Sequence, residues 1–124
     1  MKRLFDITRD LVGATVLLPF LDAARRPLGP QRVVRAVRWL GARARKRAAP
    51  ERRRLQRVIS LVDRVLPGGP NCYRRSLVEL AMDRAAASEP LWMGLSAKGG
   101  PRSGHAWLGD KAPDVHRYDV YVAM

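Results

Sequence analysis

Residues 67–77 read Pro-Gly-Gly-Pro-Asn-Cys-Tyr-Arg-Arg-Ser-Leu, and this stretch divides the chain into two parts of different character. The prolines and glycines at 67–70 cannot continue a helix, so they end the helix that precedes them. Asn71 is a favoured N-cap residue, because its side-chain oxygen can accept a hydrogen bond from a free backbone N–H of a first helical turn. The sequence therefore predicts a helix that begins at Cys72 and runs to about Ala87.

Three further helices are predicted before this stretch. The first covers residues 4 to about 24, and the prolines and glycine within 25–30 break the chain after it. The second begins at Pro30, where a missing backbone N–H costs nothing in a first turn. The third has apolar residues within 55–66 at the i, i+3, i+4, i+7 spacing of a helix face. Residues 1–66 are therefore predicted to form a basic helical region.

The sequence changes character after Pro90. Residues 91–97, 105–108 and 118–123 have the length and the aromatic or aliphatic content of strands, and glycine-rich or proline-containing turns separate them. We expect these three strands to form a small antiparallel sheet. The predicted fold class is α+β, with the helical region at 1–66 followed by a core at 67–124, and a chain of 124 residues is the size of one compact unit.

The charge is strongly basic and concentrated in one segment. Lysine and arginine exceed the acids by 24 to 11, for a net charge of +13. Residues 25–57 hold thirteen basic residues and one acid, Glu51, so this segment alone carries +12. Three interpretations fit: a solvated arginine-rich helix face, a surface that binds an acidic peptide or partner, and a nucleic-acid site. The segment has one aromatic residue, Trp39, and no known recognition motif, which disfavours nucleic acid.

The N-terminal region does not match a targeting sequence. Asp6, Arg9 and Asp10 interrupt the apolar part that a signal peptide would need. The apolar run at 11–21 is shorter than the roughly 20 residues that span a bilayer, so a buried helix is expected, with shallow membrane contact as an alternative. With a single cysteine, no disulfide can form within the chain, and a cytoplasmic location is expected.

Cys72 and His105 form the most informative pair. A thiol in the first turn of a helix lies near the positive end of the helix dipole, which favours the nucleophilic thiolate. A histidine on a neighbouring strand could take the thiol proton and return it to a leaving amine, if an acid fixes its tautomer. The acids after His105 are Asp110, Asp114 and Asp119. The alternative is that Cys72 is a small buried side chain and His105 an ordinary strand residue.

Four segments resemble, in order, the motifs of the transglutaminase-like leader peptidases of lasso-peptide biosynthesis: 72–77, 91–95, 104–108 and 114–118. The resemblance is to the free-standing peptidase half of the B protein, and it covers about residues 55 to 122.

This resemblance implies a papain-like and transglutaminase-like cysteine protease core. Cys72 matches the nucleophile and His105 the general base. Family members place an aspartate after the histidine. If a hairpin turns at Gly109-Asp110, strand pairing sets Asp114 opposite His105, which makes Asp114 the first choice, with Asp119 and Asp110 as alternatives.

Three more residues are candidates for substrate binding. Arg75 and Ser76 match the family motif, and Ser76 lies one helical turn after Cys72 on the same face. Ser76 could instead bond the backbone carbonyl four residues earlier. Trp107 either forms a wall of the cleft or packs in the core.

The resemblance also implies partners. They are a precursor leader peptide, a small separate leader-recognition protein and an ATP-dependent lasso cyclase. No cofactor or metal is expected. The competing hypotheses are an arginine-rich nucleic-acid-binding protein and a noncatalytic scaffold, or an acyl transferase, with the same fold.

Overall fold

The computed structural model describes residues 1–96, 103–109 and 120–124. Five helices and three strands lie in these ranges: α1 Lys2–Leu28, α2 Pro30–Gly41, α3 Ala49–Val65, α4 Cys72–Met82, α5 Arg84–Ala87, β1 Leu91–Ser96, β2 Ser103–Leu108 and β3 Val120–Ala123. The predicted α+β class is confirmed, with the helices first and the sheet last.

The strands form one antiparallel sheet in the order β2-β1-β3. Within the described ranges β1 is central, and His105 of β2 pairs in register with Gly94 of β1. The predicted hairpin that would set Asp114 opposite His105 falls on residues 110–119, which lie outside the described residues. The next strand in the described ranges, β3, pairs with β1 and not with β2.

The helices pack around α4. Both α1 and α3 contact α4 and each other, α2 packs along α4, and β2 covers α4 from the side of the sheet. The buried apolar cluster draws residues from every one of these elements, among them Leu18, Val37, Leu55, Leu77, Leu80, Leu91 and Ala106. The core thus spans the division between residues 1–66 and 67–124, and it fixes the start of α4 between helices and sheet.

The predicted single helix from Cys72 to Ala87 is in fact two. The backbone at Asp83 is extended, at φ −134°, and separates α4 from α5. The buried Asp83 carboxylate accepts hydrogen bonds from the backbone N–H groups of Ala85, at 3.0 Å, and Arg47, at 3.2 Å. Capping of α5 and anchoring of the chain at Arg47 therefore outweigh the helix propensity of the alanine-rich segment.

The first helix is only half buried. Ala14, Leu18 and Leu21 face the core, whereas other large apolar side chains of α1 are exposed, among them Phe5, Val12, Val16 and Phe20. The expectation of a buried helix at 11–21 is therefore correct for one face only. No helix in the described part of the chain combines the length and apolar character needed to cross a membrane.

Two buried charges join α1 to the loop before α3. The Arg47 guanidinium donates two hydrogen bonds to the Asp10 carboxylate, at 2.9 and 2.7 Å. The Asp10 side chain is fully buried and that of Arg47 is 3% exposed. A carboxylate in an apolar face is tolerated only because this paired geometry offsets its lost hydration.

Candidate active site

The start of α4 is capped as the sequence predicts. Asn71 adopts the extended conformation of an N-cap, and its side-chain oxygen accepts a hydrogen bond from the Arg74 backbone N–H at 3.2 Å. Cys72 is the first residue of the helix and is partly buried. In the described part of the chain, no hydrogen bond takes up the Cys72 backbone N–H. This N–H and the thiol therefore lie together at the positive end of the α4 dipole.

A buried ion pair holds this helix start in place. Asp63, fully buried on α3, accepts the Asn71 backbone N–H at 2.8 Å and pairs with the Arg74 guanidinium. The same guanidinium donates to the Gly69 carbonyl at 2.8 Å. The loop at 67–70 and the first turn of α4 are thereby anchored to α3.

Sequence reasoning missed Asp63 and Arg74. The family motif draws attention to Arg75, which is partly exposed, with its Nε 3.5 Å from an Asp63 oxygen. Arg74 is the buried member of the pair. The available signal was the position of Asp63, which interrupts the apolar face of α3 directly after Val62 and so needed a buried cationic partner.

One hydrogen bond connects Cys72 to the strand that carries His105. The backbone N–H of Ala106 donates to the Cys72 sulfur at 3.2 Å. Ala106 is buried against the core, and the alternation of a strand sends its neighbours His105 and Trp107 to the opposite face. Those two rings stack with centroids 5.6 Å apart and an interplanar angle of 26°. The thiol and the imidazole thus belong to directly adjoining parts of α4 and β2.

Two cavities meet at Cys72 and His105. One, of about 280 Å³, is also lined by the predicted residues Arg75, Ser76 and Trp107. The other, of about 420 Å³, lies on the side of the sheet. Its wall is mostly apolar and includes Tyr73, Met93, Leu95 and Val122. Cys72 therefore lies where the two cavities adjoin.

The structure brings together five of the six predicted site residues. Ser76 is buried, and its hydroxyl donates to the Cys72 carbonyl at 2.9 Å, which is the backbone bond four residues earlier. Trp107 is partly buried and lies outside the core cluster. Asp114 and its alternatives Asp110 and Asp119 lie outside the described residues.

Three polar residues that line the smaller cavity were not predicted: Arg52, Gln56 and Glu79. Glu79 accepts hydrogen bonds from Arg52 Nε at 2.6 Å and from Gln56 Nε2 at 2.9 Å. Arg52 also pairs with Glu89. The hydrogen bond to Glu89 contributes most to holding the pKa of Arg52 above its ordinary value, and Glu79 adds to it against the opposing effect of burial. Glu79 and Glu89 are therefore both paired with the guanidinium of Arg52, which stays positively charged.

Among the described residues, no group of three His, Cys, Asp or Glu side chains could hold a metal ion. The chemistry available from the described residues is that of a thiol, an imidazole and a free backbone N–H beside an open cleft.

Comparison with known protein families finds a match. A family model described as the Transglutaminase-like superfamily matches residues 14–118, which is 105 of the 124 residues. No curated protein and no solved structure matches the chain. The matched segment begins within α1 and includes Cys72, His105 and Asp114.

Proposed function

The chain belongs to the transglutaminase-like superfamily, and from this premise we propose that it is a cytoplasmic cysteine peptidase that removes the leader peptide from a ribosomally made lasso-peptide precursor. The superfamily supports the coarser part of the proposal, a cysteine peptidase. The four motif segments described above support the finer part, the leader peptide as substrate.

The hydrogen bond from Ala106 to the Cys72 sulfur carries the proposal. It places the only cysteine of the chain at a helix N-terminus and against the residue that follows His105. Cys72 and His105 also line the same two cavities, an arrangement that a cysteine filling the core would not require.

The reaction proceeds in two halves. His105 takes the Cys72 proton, and the sulfur attacks the carbonyl carbon at the end of the leader. The Cys72 backbone N–H stabilises the oxyanion of the tetrahedral intermediate. His105 then gives its proton to the departing amine, which is the new N-terminus of the core peptide. Water, deprotonated by His105, attacks the thioester and releases the leader as a carboxylic acid.

The remaining roles are proposed from the sequence. Asp114 orients His105, with Asp119 and Asp110 as alternatives. Arg75 and Trp107 contact the peptide from the walls of the smaller cavity, and Ser76 holds the first turn of α4 through its bond to Cys72. The partners are the precursor leader, a separate small leader-recognition protein and an ATP-dependent cyclase that closes the ring.

Mass spectrometry of a cognate precursor tests this function. The precursor is incubated with the protein and its recognition partner, and wild type is compared with Cys72→Ala and His105→Ala. We expect one cleavage, at the leader–core junction, that both substitutions abolish. Cleavage that persists in Cys72→Ala would reject the cysteine mechanism. No cleavage by the wild type with a verified cognate pair would leave the noncatalytic scaffold as the better explanation.

A further inference from the structure

Three arginines form a stripe along the exposed side of α3. A rotation of 100° per residue puts positions 53, 57 and 64 on nearly the same side of a helix. Arg53, Arg57 and Arg64 are all exposed and line one shallow groove. We call these three residues the arginine stripe.

The groove beneath the stripe adjoins the candidate active site. Gln56 and Ser60 line both this groove and the cavity that contains Cys72 and His105. A peptide chain leaving the cleft over these two residues therefore reaches the arginine stripe directly.

The charges of the stripe are not neutralised within the described part of the chain. No carboxylate there lies within ion-pair distance of any of the three arginines, although their neighbours Arg52 and Arg54 both face carboxylates. All eight side-chain carboxylates in the described ranges already face arginines: Asp6, Asp10, Asp22, Glu51, Asp63, Glu79, Asp83 and Glu89. The uncompensated charge is thus directed outward beside the cleft.

We infer that the arginine stripe binds an acidic segment of the substrate peptide next to the bond that is cleaved. The inference rests on the proposed function and adds a substrate preference to it. From position 53 to position 64 the helix rises through eleven steps, or roughly 16 Å, which is the length of about five residues of extended peptide. Guanidinium groups at this spacing match carboxylates on such a segment.

A peptide fits this surface better than a nucleic acid does. None of the residues lining the groove is aromatic, so bases would find no ring to stack on. The exposed Trp39 lies on α2, and the guanidinium of Arg43 covers its ring at 3.8 Å. The stripe is also short and lies beside the cleft. Binding to a phosphate backbone depends on charge alone, so it would not require the stripe to lie next to Cys72 and His105.

Affinity labelling of the single cysteine tests the inference without requiring peptide hydrolysis. The probes are six glutamates or six glutamines carrying an N-terminal chloroacetyl group. The Cys72 sulfur displaces chloride, forms a thioether and releases its proton to the buffer, and intact mass reports the rate. We expect the glutamate probe to label wild type about tenfold faster at about 0.15 M salt, as three exposed ion pairs would produce.

Two triple variants separate the stripe from the general charge of the protein. The stripe variant combines Arg53→Gln, Arg57→Gln and Arg64→Gln. It should lose the preference for the glutamate probe. The control variant combines Arg32→Gln, Arg35→Gln and Arg84→Gln. These three arginines are exposed, lie outside the stripe and form no ion pair with a described residue. The control therefore loses the same charge as the stripe variant and should keep the preference for glutamate.

Several outcomes would overturn the inference. They are equal labelling by both probes, a preference that survives in the stripe variant, or a loss of equal size in the control. Binding of single-stranded oligothymidylate that depends on the stripe, without any glutamate preference, would assign the surface to nucleic acid instead. Failure of the peptidase proposal would leave the labelling preference intact, so the two failures are distinguishable.

Discussion

The Cys72 sulfur lies 3.2 Å from the Ala106 backbone nitrogen, which donates a hydrogen bond to it. This contact joins two segments that are 34 positions apart in the chain, the first residue of α4 and the middle of β2. His105 precedes Ala106 in β2 and lines both cavities that Cys72 lines, so the register of β2 against α4 decides whether the imidazole opens into the same cleft as the thiol. A shift of β2 by one residue would turn His105 toward the core.

Removal of the imidazole should therefore slow the chemistry of the sulfur. We expect His105→Ala to reduce precursor cleavage at least ~10²-fold, the usual contribution of a positioned general base, and to slow alkylation of Cys72 by iodoacetamide. The chain has one other histidine, His116, and His116→Ala is the matched control, with cleavage and alkylation near wild type. Equal effects of the two substitutions would argue against a base role for His105.

Loss of the Asp63 charge should destabilise the start of α4. Asp63→Asn removes the buried anion of Arg74 and, of the described carboxylates, leaves only the more exposed Asp22, at 4.0 Å, within ion-pair distance. A broken buried pair typically costs ~3–5 kcal/mol in the free energy of unfolding. Urea denaturation measures this cost. Glu51→Gln makes the same chemical change in a partly exposed pair with Arg45, where less than about 1 kcal/mol is expected. Similar costs for the two variants would mean that Asp63 does not anchor this helix.

The pair formed by Asp10 and Arg47 should show coupling. Arg47→Met leaves the fully buried Asp10 carboxylate without its bidentate partner, and we expect a loss of ~3–5 kcal/mol. Adding Asp10→Leu removes the stranded charge, so the double variant should be more stable than Arg47→Met alone. Denaturant melts of the two single variants and the double variant give the coupling energy, and additive effects would contradict the interpretation.

The local signals of the sequence predicted most of the fold. The segment at 67–70 and the N-cap Asn71 placed the start of α4 at Cys72, because turn and capping preferences act within a few residues. The strands at 91–97 and 105–108 were predicted in the same way, from the residue types within each segment. The break at Asp83 was missed, since it depends on the backbone of Arg47, which is distant in sequence.

Residue type alone was enough to single out Cys72 and His105 as candidates, but it did not identify the residues that support them. Cys72 and His105 were identifiable by residue type, but the contact between Asp63 and Arg74 depends on how α3 packs on α4. The position of the arginine stripe beside the cleft also depends on the three-dimensional arrangement, because a count of charges along the sequence does not distinguish one arginine from another.

Two glycine substitutions should act in opposite directions. At Gly41 an added Cβ would lie 1.8 Å from the Leu80 carbonyl oxygen and 2.8 Å from the Ala87 Cβ, so α2 would have to move away from α4 and α5. We expect Gly41→Ala to cost about 3 kcal/mol or more, at the upper end of overpacking effects.

At Gly13 the added Cβ meets only the flexible end of Met82, and alanine is the better helix former by up to ~1 kcal/mol. Gly13→Ala should therefore be neutral or stabilising. Urea unfolding followed by far-ultraviolet circular dichroism measures both, and a tolerated Gly41→Ala would mean that α2 and α4 are not in the close backbone contact that holds α4 and Cys72 in place.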